Sequence, residues 1–178
     1  MTMMRSAGLV QHPPDARVST TLCETDIPQR PPLVLVDGSN TAYGGDGCPK
    51  LSRILAIQEE LDSLGLRSIT IVDASLRHRI DDPVALEKMI RAERIFQAPA
   101  GRQADEFLLQ LGRKRQHDGH PVFILTNDRF LEGDGGQVIP RIAFLLIPMD
   151  DSQLVVFSPP LESILAISRV DRVGAGEP

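Results

Sequence analysis

The sequence predicts an α/β domain built on a doubly wound, mostly parallel sheet with helices on both faces. Short apolar runs recur at Leu33–Val36, Ile69–Val72 and Pro121–Thr126, and each ends in a segment carrying an acid. Between them lie stretches whose apolar residues repeat at helical spacing. Strand and helix therefore alternate. Right-handed crossovers then place the strand ends and helix starts along one edge of the sheet.

At 178 residues and 42% hydrophobic, the chain suits one domain with a full core, residues 31–168, flanked by an arm and a tail. Trp is absent and aromatics are scarce, so that core must be aliphatic. Two cysteines, Cys23 and Cys48, match no disulfide framework and no zinc spacing, which points to a reducing cytoplasm. No apolar run suits a signal peptide, and none approaches the roughly 20 residues of a membrane span. A net charge of -5 argues against a general nucleic-acid binder, although acids gathered in one pocket would dominate that figure.

Residues 1–30, with Pro13, Pro14 and Pro28 and the adjoining Pro31 and Pro32, show no periodicity and read as a flexible arm. Leu33–Val36 is the first strand. A glycine-rich loop over Ala42–Cys48 follows, and Pro49 opens a helix that runs to about Leu64 and stops at Gly65. Ile69–Val72 is the second strand, ending in Asp73. Asp82-Pro83 caps a helix through about Arg94, and Ile95–Gln97 is a short third strand. Gln103–Gln116 is helical, with cations in its last turn where the helix dipole favours them. Pro121–Thr126 is a buried strand ending in Asn127-Asp128, with a glycine-rich turn at Gly133–Gly136 beyond. Ile142–Ile147 and Leu154–Phe157 read as an additional C-terminal β-pair that caps the sheet edge or serves a dimer contact. A short helix over Pro160–Ile167 and a tail over residues 169–178 complete the chain.

Ligands of open α/β sheets bind beyond the carboxyl ends of the strands. Asp37 and Asp128 follow strands, and Asp105 and Glu106 begin a helix, so all four fall at that edge. Clustered carboxylates repel unless a cation or protons neutralise them. Oxygen-only ligands that leave room for water and phosphate suit Mg²⁺ or Mn²⁺, which can activate water for phosphodiester hydrolysis. Each acid also has a local alternative: Asp37 and Asp128 as turn or cap residues, Asp105 and Glu106 as dipole-compensating acids of a first helical turn. Asp73 is a further strand-end acid. Glu132, four residues after Asp128, joins it on one face if a helical turn forms there.

Asp37-Gly38-Ser39-Asn40, Ala104-Asp105-Glu106-Phe107 and Thr126-Asn127-Asp128-Arg129-Phe130, in that order and spacing, resemble the PIN-like NYN nucleases. The likeness is to the endoribonuclease domain of Regnase-type CCCH zinc-finger proteins and spans roughly residues 32–148. It implies a PIN-type sheet and a Mg²⁺-dependent endoribonuclease selective for single-stranded RNA. On that resemblance Asp37 and Asp128 are the central metal-binding acids, and Asn40 positions a ligand, water or phosphate. Asp105 and Glu106 correspond to a paired-acid motif that is usually Asp-Asp, and Glu132 to a further acid that is usually Asp. The zinc finger of the Regnase-type proteins has no counterpart here.

Basic residues near that edge suit a phosphate backbone: Arg77 and Arg79, Arg102, and Arg129, joined by Ser39 of the first motif. Tyr43 or Phe130 offers a ring for base stacking. The sequence therefore predicts a Mg- or Mn-dependent ribonuclease acting on single-stranded or looped RNA, with no membrane partner and a homodimer left open. The alternative is a catalytically weak module that binds RNA or a protein. A phosphoaspartyl phosphatase would need Asp-x-Asp where Asp37-Gly38-Ser39 stands, and a dinucleotide site would need its glycines directly after the strand.

Overall fold

Leu33–Asp37 forms β1, a strand with every residue buried. Val34 and Val36 face one side of the sheet and Leu33 and Leu35 the other, so the strand must sit in the middle of a layered structure. The computed structural model describes residues 30–44, 47–101, 103–128, 139–149, 154–161 and 164. The proposed arm, the tail, the glycine-rich turn and Phe130 lie outside these.

In chain order, β1 is followed by α1 (Gly38–Tyr43), α2 (Leu51–Ser63), β2 (Arg67–Val72), a 3₁₀ turn (Leu76–His78), α3 (Pro83–Arg91) and β3 (Phe96–Gln97). Then come α4 (Ala104–His117), β4 (Val122–Leu125), β5 (Arg141–Ile142), β6 (Leu145–Pro148) and β7 (Leu154–Phe157). The first five strands make one parallel sheet in the order β3-β2-β1-β4-β5. The order reverses at β1, between β2 and β4, which is where an open sheet leaves a crevice.

Helices cover both faces, as the sequence predicts. Ile57 and Leu61 of α2 pack with Val34, Val36 and Leu125 on one face. Ala104 and Leu108 of α4 pack with Leu35, Ile71 and Ile124 on the other. A third cluster, Ala42, Ile54, Val72, Leu86 and Ile95, joins α1, α2 and α3. Gln58, at an otherwise apolar position of α2, is buried and donates to Thr70 Oγ1 and the Arg94 carbonyl, each at 2.9 Å. Its amide NH₂ is thus satisfied, while its buried Oε1 has no hydrogen-bond partner among the described residues.

Three expectations need correcting. Ala42 and Tyr43, expected to open a loop, belong to the helix α1, which starts directly after Asp37. Asp37 caps it, accepting the Asn40 N–H at 3.0 Å. Gly38 permits the turn, because a Cβ there would stand 2.7 Å from Val72 Cγ1 and 3.0 Å from the Ile71 carbonyl. Second, α3 stops at Arg91, and Glu93 takes a positive φ of 55°.

The third concerns Ile142–Ile147, which is two strands. Arg141–Ile142 extends the main sheet beside β4, whereas β6 leaves it and pairs antiparallel with β7. Between them, Asn127 receives the Phe144 N–H at 3.1 Å and donates to its carbonyl at 3.0 Å. A side-chain amide thus takes both backbone groups that would otherwise continue the ladder. The β6–β7 pair packs Leu146 and Val156 against the cluster under α2, and leaves Leu145, Ile147, Val155 and Phe157 exposed. Leu161 and Ile164, from the expected last helix, are buried in the same cluster; residues 159–161 and 164 are helical. Among the described residues, no helix is long and apolar enough to cross a membrane.

Candidate active site

The carboxyl ends of β2, β1 and β4 and the start of α4 enclose an open cavity of about 550 Å³. Its acids are Asp37, Asp73, Asp105 and Asp128, with Ser39, Asn40, Tyr43 and Gln103 among its other walls. Three strand ends and one helix start meet here because the parallel register sets them level. Asp37 lies opposite Ile71 of β2, and Val36 opposite Leu125 of β4.

Asp37 is at the bottom, 5% exposed. One carboxylate oxygen accepts the Asn40 N–H at 3.0 Å, and the other accepts the buried Thr126 hydroxyl at 3.1 Å. Thr126 Oγ1 in turn accepts the Asp128 N–H at 3.2 Å, so one hydroxyl links the two acids. Burial raises the Asp37 pKa from 3.8 to about 6; the two hydrogen bonds oppose this, and the charges of Asp128 and Asp73 add to it. Its charged form is therefore short of positive compensation among the described residues.

Asn40 spends its carbonyl on the Asn127 N–H at 3.0 Å, which ties α1 to the end of β4. Asp128 is exposed at the rim, its backbone carbonyl bound by Arg141. Asp73 follows β2, two residues beyond the position level with Asp37. Its N–H donates to Ser39 Oγ at 2.8 Å, and its carboxylate accepts the Ala104 N–H at 2.8 Å. Gln103 caps α4 with no side-chain bond, so an acid from the sheet satisfies the first helical N–H instead. Asp105, in the first turn of α4, reaches the cavity.

The structure brings Asp37, Asp105, Asp128, Asn40 and Ser39 to one cavity and leaves other nominated residues apart. Glu106 is exposed and forms no part of the wall, because one residue further along a helix is about 100° further round. Arg77 turns away, donating to the Ala74 carbonyl and pairing with Glu87 of α3 at 3.4 Å. Arg79 donates to the Tyr43 hydroxyl at 3.1 Å, beside the cavity. Glu132, Arg102 and Arg129 lie outside the described residues. Reading by sequence missed the role of Thr126, whose polar end on an apolar strand was the available signal, and underrated Asp73.

Among the described residues, no three acidic, His or Cys side chains converge closely enough to hold one ion. The donor set nevertheless suits a hard cation that takes one or two carboxylates and fills its shell from water and phosphate. A buried carboxylate pushed up by two neighbouring acids is where such an ion would relieve the most repulsion.

Comparison with known families adds an independent finding. The Zc3h12a-like Ribonuclease NYN domain model matches residues 30–133, more than half of the chain, and the match takes in β1 through β4 with every acid of the cavity. No curated protein matches the chain.

Proposed function

The chain belongs to the Zc3h12a-like ribonuclease NYN domain family, a nuclease family with RNA as substrate, and on that premise we propose a metal-dependent endoribonuclease that cleaves single-stranded or looped RNA at the Asp37 cavity. The observation that carries this reading is Asp37 itself, a buried acid held between Asp73 and Asp128 with its pKa raised to about 6. Asp37 and Asp128 would hold Mg²⁺ or Mn²⁺, with Asp105 facing them from α4. A bound ion supplies charge stabilisation on the phosphate and a more acidic water.

The chain's own groups organise the rest. Thr126 and the Asn40 N–H fix the Asp37 carboxylate from two sides, which leaves its remaining lone pairs for the cavity. With its carbonyl held by Asn127, Asn40 presents its amide NH₂ as the donor for a phosphate oxygen. Asp73 holds the start of α4, and with it Asp105, against the sheet. The cavity is open, which gives an RNA strand access to the acids. A reducing cytoplasm suits such an enzyme.

The test is incubation of the purified chain with end-labelled single-stranded RNA in Mg²⁺ or Mn²⁺, with and without EDTA. Internal cleavage that EDTA stops, and that Asp37→Asn abolishes, is the expected result. RNA binding without cleavage in either ion would replace the enzyme with a binding module.

A further inference from the structure

A second recess, about 410 Å³, opens beside the acidic cavity, and Tyr43 lines both. Its other walls are Cys48, Pro49 and Lys50, on the approach to α2, and Arg79 and Asp81, between the 3₁₀ turn and α3. These two segments are held together by backbone. The Asp81 N–H donates to the Pro49 carbonyl at 3.2 Å, and the Lys50 N–H to the Ala42 carbonyl at 2.9 Å.

Side chains reinforce the same walls. Arg53 donates to the Ala42, Tyr43 and Cys48 carbonyls at 2.9, 2.8 and 2.8 Å, which fixes the loop behind Tyr43. Asp81 accepts the N–H of Leu51, the first residue of α2, at 2.8 Å, and that of Asp82 at 2.9 Å. Its carboxylate is therefore engaged in holding the helix start. Arg79 is exposed, and its bond to the Tyr43 hydroxyl sets the guanidinium at the hydroxyl end of that side chain.

The recess thus combines the half-buried ring of Tyr43 and the buried Pro49 with two exposed cationic side chains, Lys50 and Arg79. A flat ring and an anion a few bonds apart are what a nucleotide offers. One side chain separates this surface from the acids, which is the placement expected of the next unit of the same strand. We propose that the recess is the subsite for the nucleotide adjoining the cleaved phosphodiester, its base against Tyr43 and its phosphate against Arg79 and Lys50. The proposal rests on the ribonuclease reading of the acidic cavity.

Stacking and phosphate contact are separable by salt. The full chain carrying Asp37→Asn, which stops cleavage, is titrated against fluorescein-labelled single-stranded RNA by anisotropy over a potassium chloride series. Adding Tyr43→Ala weakens binding about fivefold or more, with the salt slope unchanged. Tyr43→Phe, which keeps the ring, restores it. Arg79→Ala, at a fully exposed position, weakens binding and lowers the slope of log K against log salt by about 0.7.

Absence of binding by the Asp37→Asn parent overturns the proposal. So does Tyr43→Ala binding like that parent, Tyr43→Phe binding as weakly as Tyr43→Ala, or an unchanged slope in Arg79→Ala. Cleavage by the wild type in Mg²⁺ or Mn²⁺ is scored separately. No cleavage with the binding results intact sinks the enzyme reading and the recess's place beside a cleaved bond, while its nucleotide contacts stand; cleavage with unaffected variants sinks the subsite alone.

Discussion

Asp37 ends β1 and Asp73 follows the neighbouring β2, two residues beyond the level of Asp37, and their surroundings differ. Asp73 is half-buried and its carboxylate holds the Ala104 N–H, so it works as a clamp between β2 and α4. Asp37 is buried, caps only the short α1, and bears the charges of Asp73 and Asp128 nearby. One acid is satisfied by the fold, and the other bears a charge that no described residue offsets. The difference shows that position at a strand end nominates an acid, while burial and partners decide its work.

The largest effect should separate the two on activity. Asp37→Asn is expected to lower metal-dependent RNA cleavage about 10³-fold, on the scale of losing one electrostatic stabiliser of a transition state. Asp73→Asn, whose carbonyl can still accept the Ala104 N–H, should lose about 10- to 100-fold, as residues that orient ligands do. Equal losses in single-turnover rates would erase the distinction.

Stability should run the other way. The folded pKa of Asp37, about 6, lies above its ordinary 3.8. Between those values the folded chain binds a proton that the unfolded chain does not, so stability falls as pH rises through the window. Above pH 6 the cost is fully present, about 3 kcal/mol at 1.36 kcal/mol per unit. Asp37→Asn should therefore raise the urea midpoint at pH 8, with the gain fading towards pH 4. A constant gain across that range would mean another cause. Mg²⁺ or Mn²⁺ should likewise raise the melting temperature of the wild type at pH 8 and leave Asp37→Asn unmoved.

Smaller effects sharpen the contrast. Thr126→Val removes the hydroxyl that serves both Asp37 and Asp128, and should cost about 1 to 2 kcal/mol in urea unfolding at pH 8. Asp73→Ala uncaps α4 and should cost about 1 kcal/mol, seen as faster hydrogen exchange in its first turn. If exchange accelerated equally throughout the sheet, Asp73 would be more than a local clamp.

Much of this was legible beforehand because the signals are local. An apolar run buried on both faces, a helical period and a Pro or Gly at a helix end depend on near neighbours in the chain. They gave the strands, α2 and α4 to within a few residues, and they put Asp37, Asp105 and Asp128 at one edge. Side-chain direction was not legible. Asp105 and Glu106 are adjacent in sequence, yet only one reaches the cavity; Arg77 pairs with Glu87 while Arg79 stays beside Tyr43. The split of Ile142–Ile147 hangs on Asn127, fifteen residues earlier than Ile142 and visible only when the chain is folded.

The sequence by itself determined a parallel α/β sheet with acids at its carboxyl edge, because periodicity and strand-end chemistry are written in short windows. Tertiary structure alone decided that β1 lies between β2 and β4. That order sets Asp37 between Asp73 and Asp128, and their combined charge, acting on a carboxylate removed from water, turns a strand-end residue into the centre of a site. Charge repulsion and desolvation depend on distance and burial, and neither exists until the strands are side by side.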